Sequence, residues 1–215
     1  MRICLIGGMR SGKSTHAQQL ASAKVERLHS STGDDSHPAE VLFVAFGKEG
    51  CDGEFDSRIA HHRSSRPAEW KTLELGEEPL ARWNELIEDA VDKRFSVTVV
   101  DCVATLVSCI IDDILSDTYG EQWYLRETFD DDIAGVVARQ AKSYIASLCG
   151  VAPETVFVTN EVGLAPIAPS PSGRLFVDSL GWVNQELSTL CDKTFLVVAG
   201  SAIDVTSLST IPCWE

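Results

Sequence analysis

The sequence predicts an α/β chain with a mostly parallel, doubly wound sheet flanked by helices. Three observations lead there. Five short β-rich runs are apolar almost throughout rather than alternating, as strands buried on both faces of a parallel sheet are. Stretches with helical spacing separate them, which makes βαβ units. The first run ends in a glycine-rich turn that leads straight into a helix, the edge where open α/β sheets hold ligands.

The strand runs are residues 3–6, 41–46, 97–100, 155–158 and 195–198. Helical spacing covers 13–23, 80–91, 103–115, 133–148 and 175–190. Residues 29–39 are polar, with Gly33 and Pro38, and are expected to form a surface loop. Residues 165–173 carry Pro166, Pro169, Pro171 and Gly173 and predict a second loop near the C-terminal ends of the strands. The tail from Thr206 is expected to be peripheral. No internal repeat or linker divides the chain, so residues 1–215 are expected to form one nucleotide-binding domain.

Composition narrows the function classes. With 44% hydrophobic and 23% charged residues the chain can bury a full-sized core. No apolar run approaches the roughly 18 residues that a spanning helix needs, and no signal peptide is visible, so a cytoplasmic protein without membrane insertion is expected. A net charge of -14 disfavours nucleic acid as a partner. Seven scattered cysteines without a Cys-x-x-Cys pair read as small buried hydrophobes rather than a disulfide framework or zinc site. Acidic residues concentrated between Asp112 and Asp132 read as a solvated helix face and loop.

Gly7-Gly8-Met9-Arg10-Ser11-Gly12-Lys13-Ser14 matches G-x-x-x-x-G-K-[ST] in full, between a buried strand and a helix. This is the phosphate-binding loop of the P-loop NTPase fold. Its glycines let backbone N–H groups face the phosphates, and the helix N-terminus adds its dipole. Lys13 is expected on the β- and γ-phosphates and Ser14 on Mg²⁺. The run 97–100 ends in Asp101, the arrangement in which a carboxylate helps to hold the magnesium shell. The motif points to triphosphate binding and leaves the reaction open.

Residues 55–67 add chemistry. Read as a helix, Phe55 and Ile59 make an apolar stripe, while His61 lies about 200° round from Ile59 and His62 about 300°. His61 thus points away from the stripe and His62 flanks it. Arg58, Arg63 and Arg66 gather cations there. Such a segment suits either a solvated basic helix end or an imidazole that attacks phosphorus with arginines balancing the charge.

Four blocks together resemble the bifunctional adenosylcobinamide kinase/adenosylcobinamide-phosphate guanylyltransferases of cobalamin biosynthesis. They are Gly7 to Ser14; Arg58-Ile59-x-His61-His62 through Arg66-Pro67-x-x-Trp70; Thr159-Asn160-Glu161-Val162-Gly163; and Gly181-x-Val183-Asn184-Gln185. The resemblance runs from Ile3 to about Ile203. It implies two steps: phosphorylation of adenosylcobinamide by ATP or GTP, then transfer of GMP from GTP through a guanylylated histidine to adenosylcobinamide phosphate. It implies His61 as that histidine. It further implies GTP contacts at Phe46, Gly47 and Lys48, at His62, Arg63, Ser64 and Ser65, at Glu74 and at Asp101, and a homotrimer. Asn160-Glu161 reads almost equally well as a helix cap and turn. The chain departs from the family pattern in the Pro-rich segment 165–173 and at Val177 and Trp182, where arginines are common. The competing readings are a simple P-loop small-molecule kinase and a nucleotide-switched binding protein; the second lacks an Asn-Lys-x-Asp guanine motif.

Overall fold

The computed structural model describes residues 1–32, 40–46, 63, 66–75, 80–91 and 95–208. It contains a seven-stranded sheet in the order β3-β2-β4-β5-β1-β6-β7. The strands are β1 (Arg2–Gly7), β2 (Glu40–Ala45), β3 (Lys71–Glu74), β4 (Phe95–Asp101), β5 (Thr155–Asn160), β6 (Lys193–Val198) and β7 (Ser201–Asp204). The helices are α1 (Lys13–Thr32), α2 (Trp83–Val91), α3 (Val103–Tyr119), α4 (Ile133–Val151) and α5 (Pro171–Leu190). Every pairing is parallel except β6 with β7. The five expected strands form the centre of this sheet.

The sheet is covered unequally, and the side-chain alternation of each strand shows it. Along β2, Leu42 and Val44 turn to a core shared with α2, α3, α4 and α5. Val41, Phe43 and Ala45 turn to a smaller core with Ala17 and Ala21 of α1. Period 2 sends neighbours to opposite faces, and both faces are buried, so the run carries no polar alternation. Among the described residues, no helix is long and apolar enough to cross a membrane.

Four expectations are corrected. The sequence predicts five strands and the sheet has seven. β3 was missed because it has one aliphatic residue, Leu73, and an exposed start. β7 was missed because it is a short edge strand made by a hairpin, with Ala199 and Gly200 at φ 49° and 80° in the turn. Helix α1 runs to Thr32, so 29–32 are helical where a loop is expected; 33–39 lie outside the described residues. Helix α5 starts at Pro171 rather than after Gly173. Proline at the first helical turn lacks only an N–H that would be unsatisfied there, and the Ser170 hydroxyl caps Gly173 N at 3.1 Å.

Among the described cysteines Cys4 is buried and the others are partly buried. Cys4, Cys102, Cys109, Cys149 and Cys191 are free thiols, and burial pushes Cys4 up to about 12 and Cys109 to about 11. Cys51 and Cys213 lie outside the described residues.

Candidate active site

Parallel strands put all their C-terminal ends on one edge, and four residues singled out in the sequence end strands there. Gly7 ends β1, Asp101 ends β4, Asn160 ends β5 and Glu74 ends β3. At about 4.8 Å per strand, Asp101 stands about 10 Å along the edge from the phosphate loop and Glu74 about 19 Å.

The loop itself is shaped by close backbone approaches. Gly7 is required by space, since a Cβ there would come 2.2 Å from the Val197 carbonyl oxygen. Gly12 is required by its φ of 102°. Lys13 is 6% exposed, and its ammonium donates to the carbonyls of Gly7 at 3.0 Å and Gly8 at 2.8 Å. Burial pushes Lys13 below its ordinary pKa, while nearby Cys102 and Asp101 oppose that shift. The cation is thus held over the cradle by backbone oxygens, with Asp101 close enough to feel it. Ser11 is buried, and its hydroxyl has no hydrogen-bond partner; a buried polar atom of that kind suits a site built for a polar ligand.

The β6–β7 turn braces the loop from behind. Gly200 N donates to the Ser11 carbonyl at 2.9 Å, and the His16 Nε2 lies 2.9 Å from the Gly200 carbonyl. Sequence reasoning missed this contact; the Val-Val-Ala-Gly-Ser-Ala run at 197–202 was the hairpin signal available.

On the other side, β5 supports the cradle. Asn160 stands opposite Gly7 in register, and Glu161 N donates to Gly7 O at 3.0 Å. Asn184 of α5 accepts from the Thr159 hydroxyl at 2.7 Å and donates to Asn160 O at 2.9 Å. Glu161 turns its carboxylate to Gly163 N at 2.6 Å. The third and fourth motif blocks therefore meet, fastening α5 to the end of β5 beside the phosphate loop.

At the far end, Glu74 accepts a two-pronged ion pair from Arg63, whose Nε lies at 2.8 Å and whose Nη2 also contacts it. Arg66 joins through Nη1 at 3.4 Å. The Arg63 fork, followed by the Arg66 charge, holds the Glu74 carboxyl below its ordinary range against a smaller opposing effect of burial. Arg66 is itself buried, which pushes its guanidinium down, and it stacks 4.3 Å over the Phe43 ring. Trp70 stacks on the same ring at 6.3 Å. Arg82 closes the cluster by donating to Glu74 O at 2.6 Å. The sequence offers Arg63 and Arg66 as cations to balance phosphate charge; both are paired with Glu74 here, and Trp70 supports the stack.

Phe46 is buried in the main core, its ring stacked 6.4 Å from Trp83. Met9 is exposed, and Arg10 adopts φ 57° within the loop. Gly47, Lys48, His61, His62, Ser64 and Ser65 lie outside the described residues. A recess of about 120 Å³ beside α1, lined by Leu20, Lys24 and Glu154, opens on the opposite edge, away from these groups.

The chain is similar to known proteins along nearly its whole length. Residues 3–205 match the family model described as cobinamide kinase / cobinamide phosphate guanyltransferase. The chain belongs to that family. Similar proteins include the bifunctional adenosylcobalamin biosynthesis protein CobU of Escherichia coli K12, 32% identical over 95% of this chain and 99% of the relative. The CobU of Salmonella typhimurium LT2 is 30% identical over the same shares. The Pseudomonas aeruginosa relative CobP is 31% identical over 93% of this chain and 94% of its own. Among solved structures, a type III secretion ATPase superposes with a TM-score of 0.54 at 12% identity, covering 98% of this chain. This chain spans 58% of that ATPase, and the likeness shows the fold alone. The family is one of transferases, and its two activities favour the two-step reading over a simple kinase.

Proposed function

We propose that this protein phosphorylates the free hydroxyl of adenosylcobinamide and then converts the phosphate to adenosylcobinamide-GDP, using GTP and a histidine intermediate. The observation that carries the reading is the phosphate loop: a buried Lys13 pinned over the end of β1, with Asp101 on the same edge, in a chain of this family. In the first step the substrate oxygen attacks the γ-phosphorus, the bond to the β-bridging oxygen breaks, and the hydroxyl proton leaves to solvent. Lys13 exchanges its two carbonyl partners for the β- and γ-oxygens, and the loop N–H groups orient them. In the second step the His61 imidazole attacks the α-phosphorus of GTP and pyrophosphate leaves. An oxygen of the substrate phosphate then attacks that phosphorus, the P–N bond breaks, and a diphosphate forms. Arg63, beside Glu74, and His62, Ser64 and Ser65 are proposed GTP contacts, together with Gly47, Lys48 and Glu74 itself.

Mg²⁺ fits the donors available. Ser14 and Asp101 are hard oxygen ligands, and no cluster of three or more His, Cys, Asp or Glu side chains lies among the described residues, so the rest of the shell would come from phosphates and water. When bound, the ion neutralises phosphate charge. The proposal includes a cytoplasmic homotrimer.

The test is labelling with α-phosphorus-labelled GTP and Mg²⁺, followed by denaturation. The protein should carry a label that survives alkali and is lost in acid, as a phosphoramidate does. His61→Ala should lose the label and the GMP transfer while keeping kinase activity, and His62→Ala should still take the label. Label retained by His61→Ala sinks the assignment.

A further inference from the structure

Two aliphatic side chains, Leu164 and Ile167, are exposed on the loop that leaves β5 next to the phosphate cradle. Leu164 and Ile167 are each 87% exposed, the highest values among the large hydrophobic residues given for the described chain. Water-facing leucines are common singly; a pair at this place, in a loop built as this one is, asks for a partner.

The place is fixed by the cradle. Glu161 N is bonded to Gly7 O, and Leu164 is three residues further on, within about 10 Å of Glu161 along the chain. The loop is also held rather than loose. Ala165 N donates to Val162 O at 3.3 Å, and Arg174 Nη1 donates to the carbonyls of Ala168 at 3.1 Å and Pro169 at 2.9 Å. Gly173 sits so near the loop that a Cβ would meet Ser170 Oγ at 2.9 Å. Three prolines restrict the backbone further. An exposed apolar pair on a pre-organised backbone loses little entropy on binding.

We infer that Leu164 and Ile167 form a ledge on which the corrinoid ring of the acceptor substrate rests while its arm reaches the phosphates. The inference deepens the proposed function and rests on it. The reacting oxygen is at the end of a side arm, so the ring must lie outside the cradle on this edge of the sheet. The corrin ring and its methyl groups present a broad apolar surface that an aliphatic ledge can cover. Charge points the same way. Cobalt(III) with a corrin monoanion and an alkyl ligand leaves one net positive charge, and residues 161–173 contain Glu161 and no lysine or arginine. Arg174, the nearest following cation, has its guanidinium turned to loop carbonyls.

The test uses the full chain with Leu164→Ser, Ile167→Ser and the double variant, beside Leu164→Met and Ile167→Val. Cobinamide binding is read by equilibrium dialysis with the corrin's visible absorbance, kinase turnover by KM and kcat, and the nucleotide half by covalent GMP labelling. Each serine variant should weaken cobinamide binding and raise its KM on the order of tenfold, with the double variant beyond either single one. The kcat at saturation and the GMP labelling should stay as in wild type, and the conservative variants should bind as wild type does. Unchanged cobinamide affinity in the double variant overturns the ledge. So does a change of oligomeric state by light scattering that accounts for the loss, because the pair would then be an interface between copies of the chain. Wild type that binds cobinamide without phosphorylating it refutes the proposed function alone, leaving the ledge to be decided by the variants' affinities; no binding at all refutes both.

Discussion

The two ends of the site edge hold charge in different ways. At the β1 end a single cation, Lys13, is buried and secured by two backbone carbonyls from its own loop. At the β3 end a single carboxylate, Glu74, is secured by side chains of Arg63 and Arg66, and Arg66 leans on an aromatic stack of Phe43 and Trp70. The first device is local in sequence and needs only a strand, a tight turn and a helix start. The second needs Phe43 of β2, the stretch from Arg63 to Glu74 and Arg82 brought to one corner. Partners made of backbone cannot be removed by substitution, so the first end should fail by chemistry and the second by geometry.

The largest expected effect separates chemistry from stability. Lys13→Ala should lower both transfer activities by about a hundred- to a thousandfold, the scale for removing a group that stabilises developing charge. Lys13→Met should lose activity alike yet melt close to wild type, because a buried ammonium contributes little net stability once desolvation is counted. A Lys13→Met protein that keeps near-normal turnover would break the cradle half of the comparison.

Next comes the space behind the loop. Gly7→Ala should cost about 3 kcal/mol in denaturant unfolding, since its Cβ would drive into the Val197 backbone, which cannot swing aside. Gly8→Ala, with nothing within 4 Å, should cost far less. Equal losses for the two would show that conformational freedom, not close approach, selects glycine at position 7.

The β3 end is sharpened by its two arginines. Arg66→Ala should destabilise by about 2 kcal/mol, from the lost stacking on Phe43 and the lost contact to Glu74. Arg63, whose side chain is 49% exposed, forms an ion pair of the surface kind, and Arg63→Ala should cost under about 1 kcal/mol. Calorimetric melts of the two variants would reverse the assignment if Arg63→Ala proved the more harmful.

The smallest effect is a pH dependence. The Glu74 carboxyl is held below its ordinary value in the folded protein, so the unfolded chain takes up its proton first as pH falls. Its contribution to stability is therefore full above the ordinary value of about 4.5 and is lost as pH falls through the lower folded value. The stability gap between wild type and Glu74→Gln should narrow below that pH, and a gap constant from pH 7 to pH 3 would show that the ion pair carries no linkage.

What could be read from the chain follows this same division. The loop Gly7 to Ser14, the strand that precedes it and Asp101 were legible because each depends on residues adjacent in sequence, and their periodicity fixes which groups reach the edge. The core of the sheet was legible for the same reason: runs apolar almost throughout mark β1, β2, β4 and β5 as buried strands, whereas β6, read in the same way, leaves Val198 half exposed beside its hairpin. The edge strands were not, because β3 and β7 exist through pairing with a neighbour rather than through their own hydrophobicity. The Glu74 corner was not, because nothing in the spacing of Phe43, Arg66, Trp70 and Glu74 says that they share one stack. The brace of Gly200 against Ser11 was hidden likewise, and so was the meeting of Asn184 with Asn160. By itself the sequence determined the fold class, the phosphate loop and the family to which the chain belongs, all written in short-range pattern. Tertiary structure alone decided which motif residues act as fasteners, which side chains support Glu74, and that Leu164 and Ile167 face water on the loop leaving β5, since burial and contact between distant segments arise only when the sheet brings them to one edge.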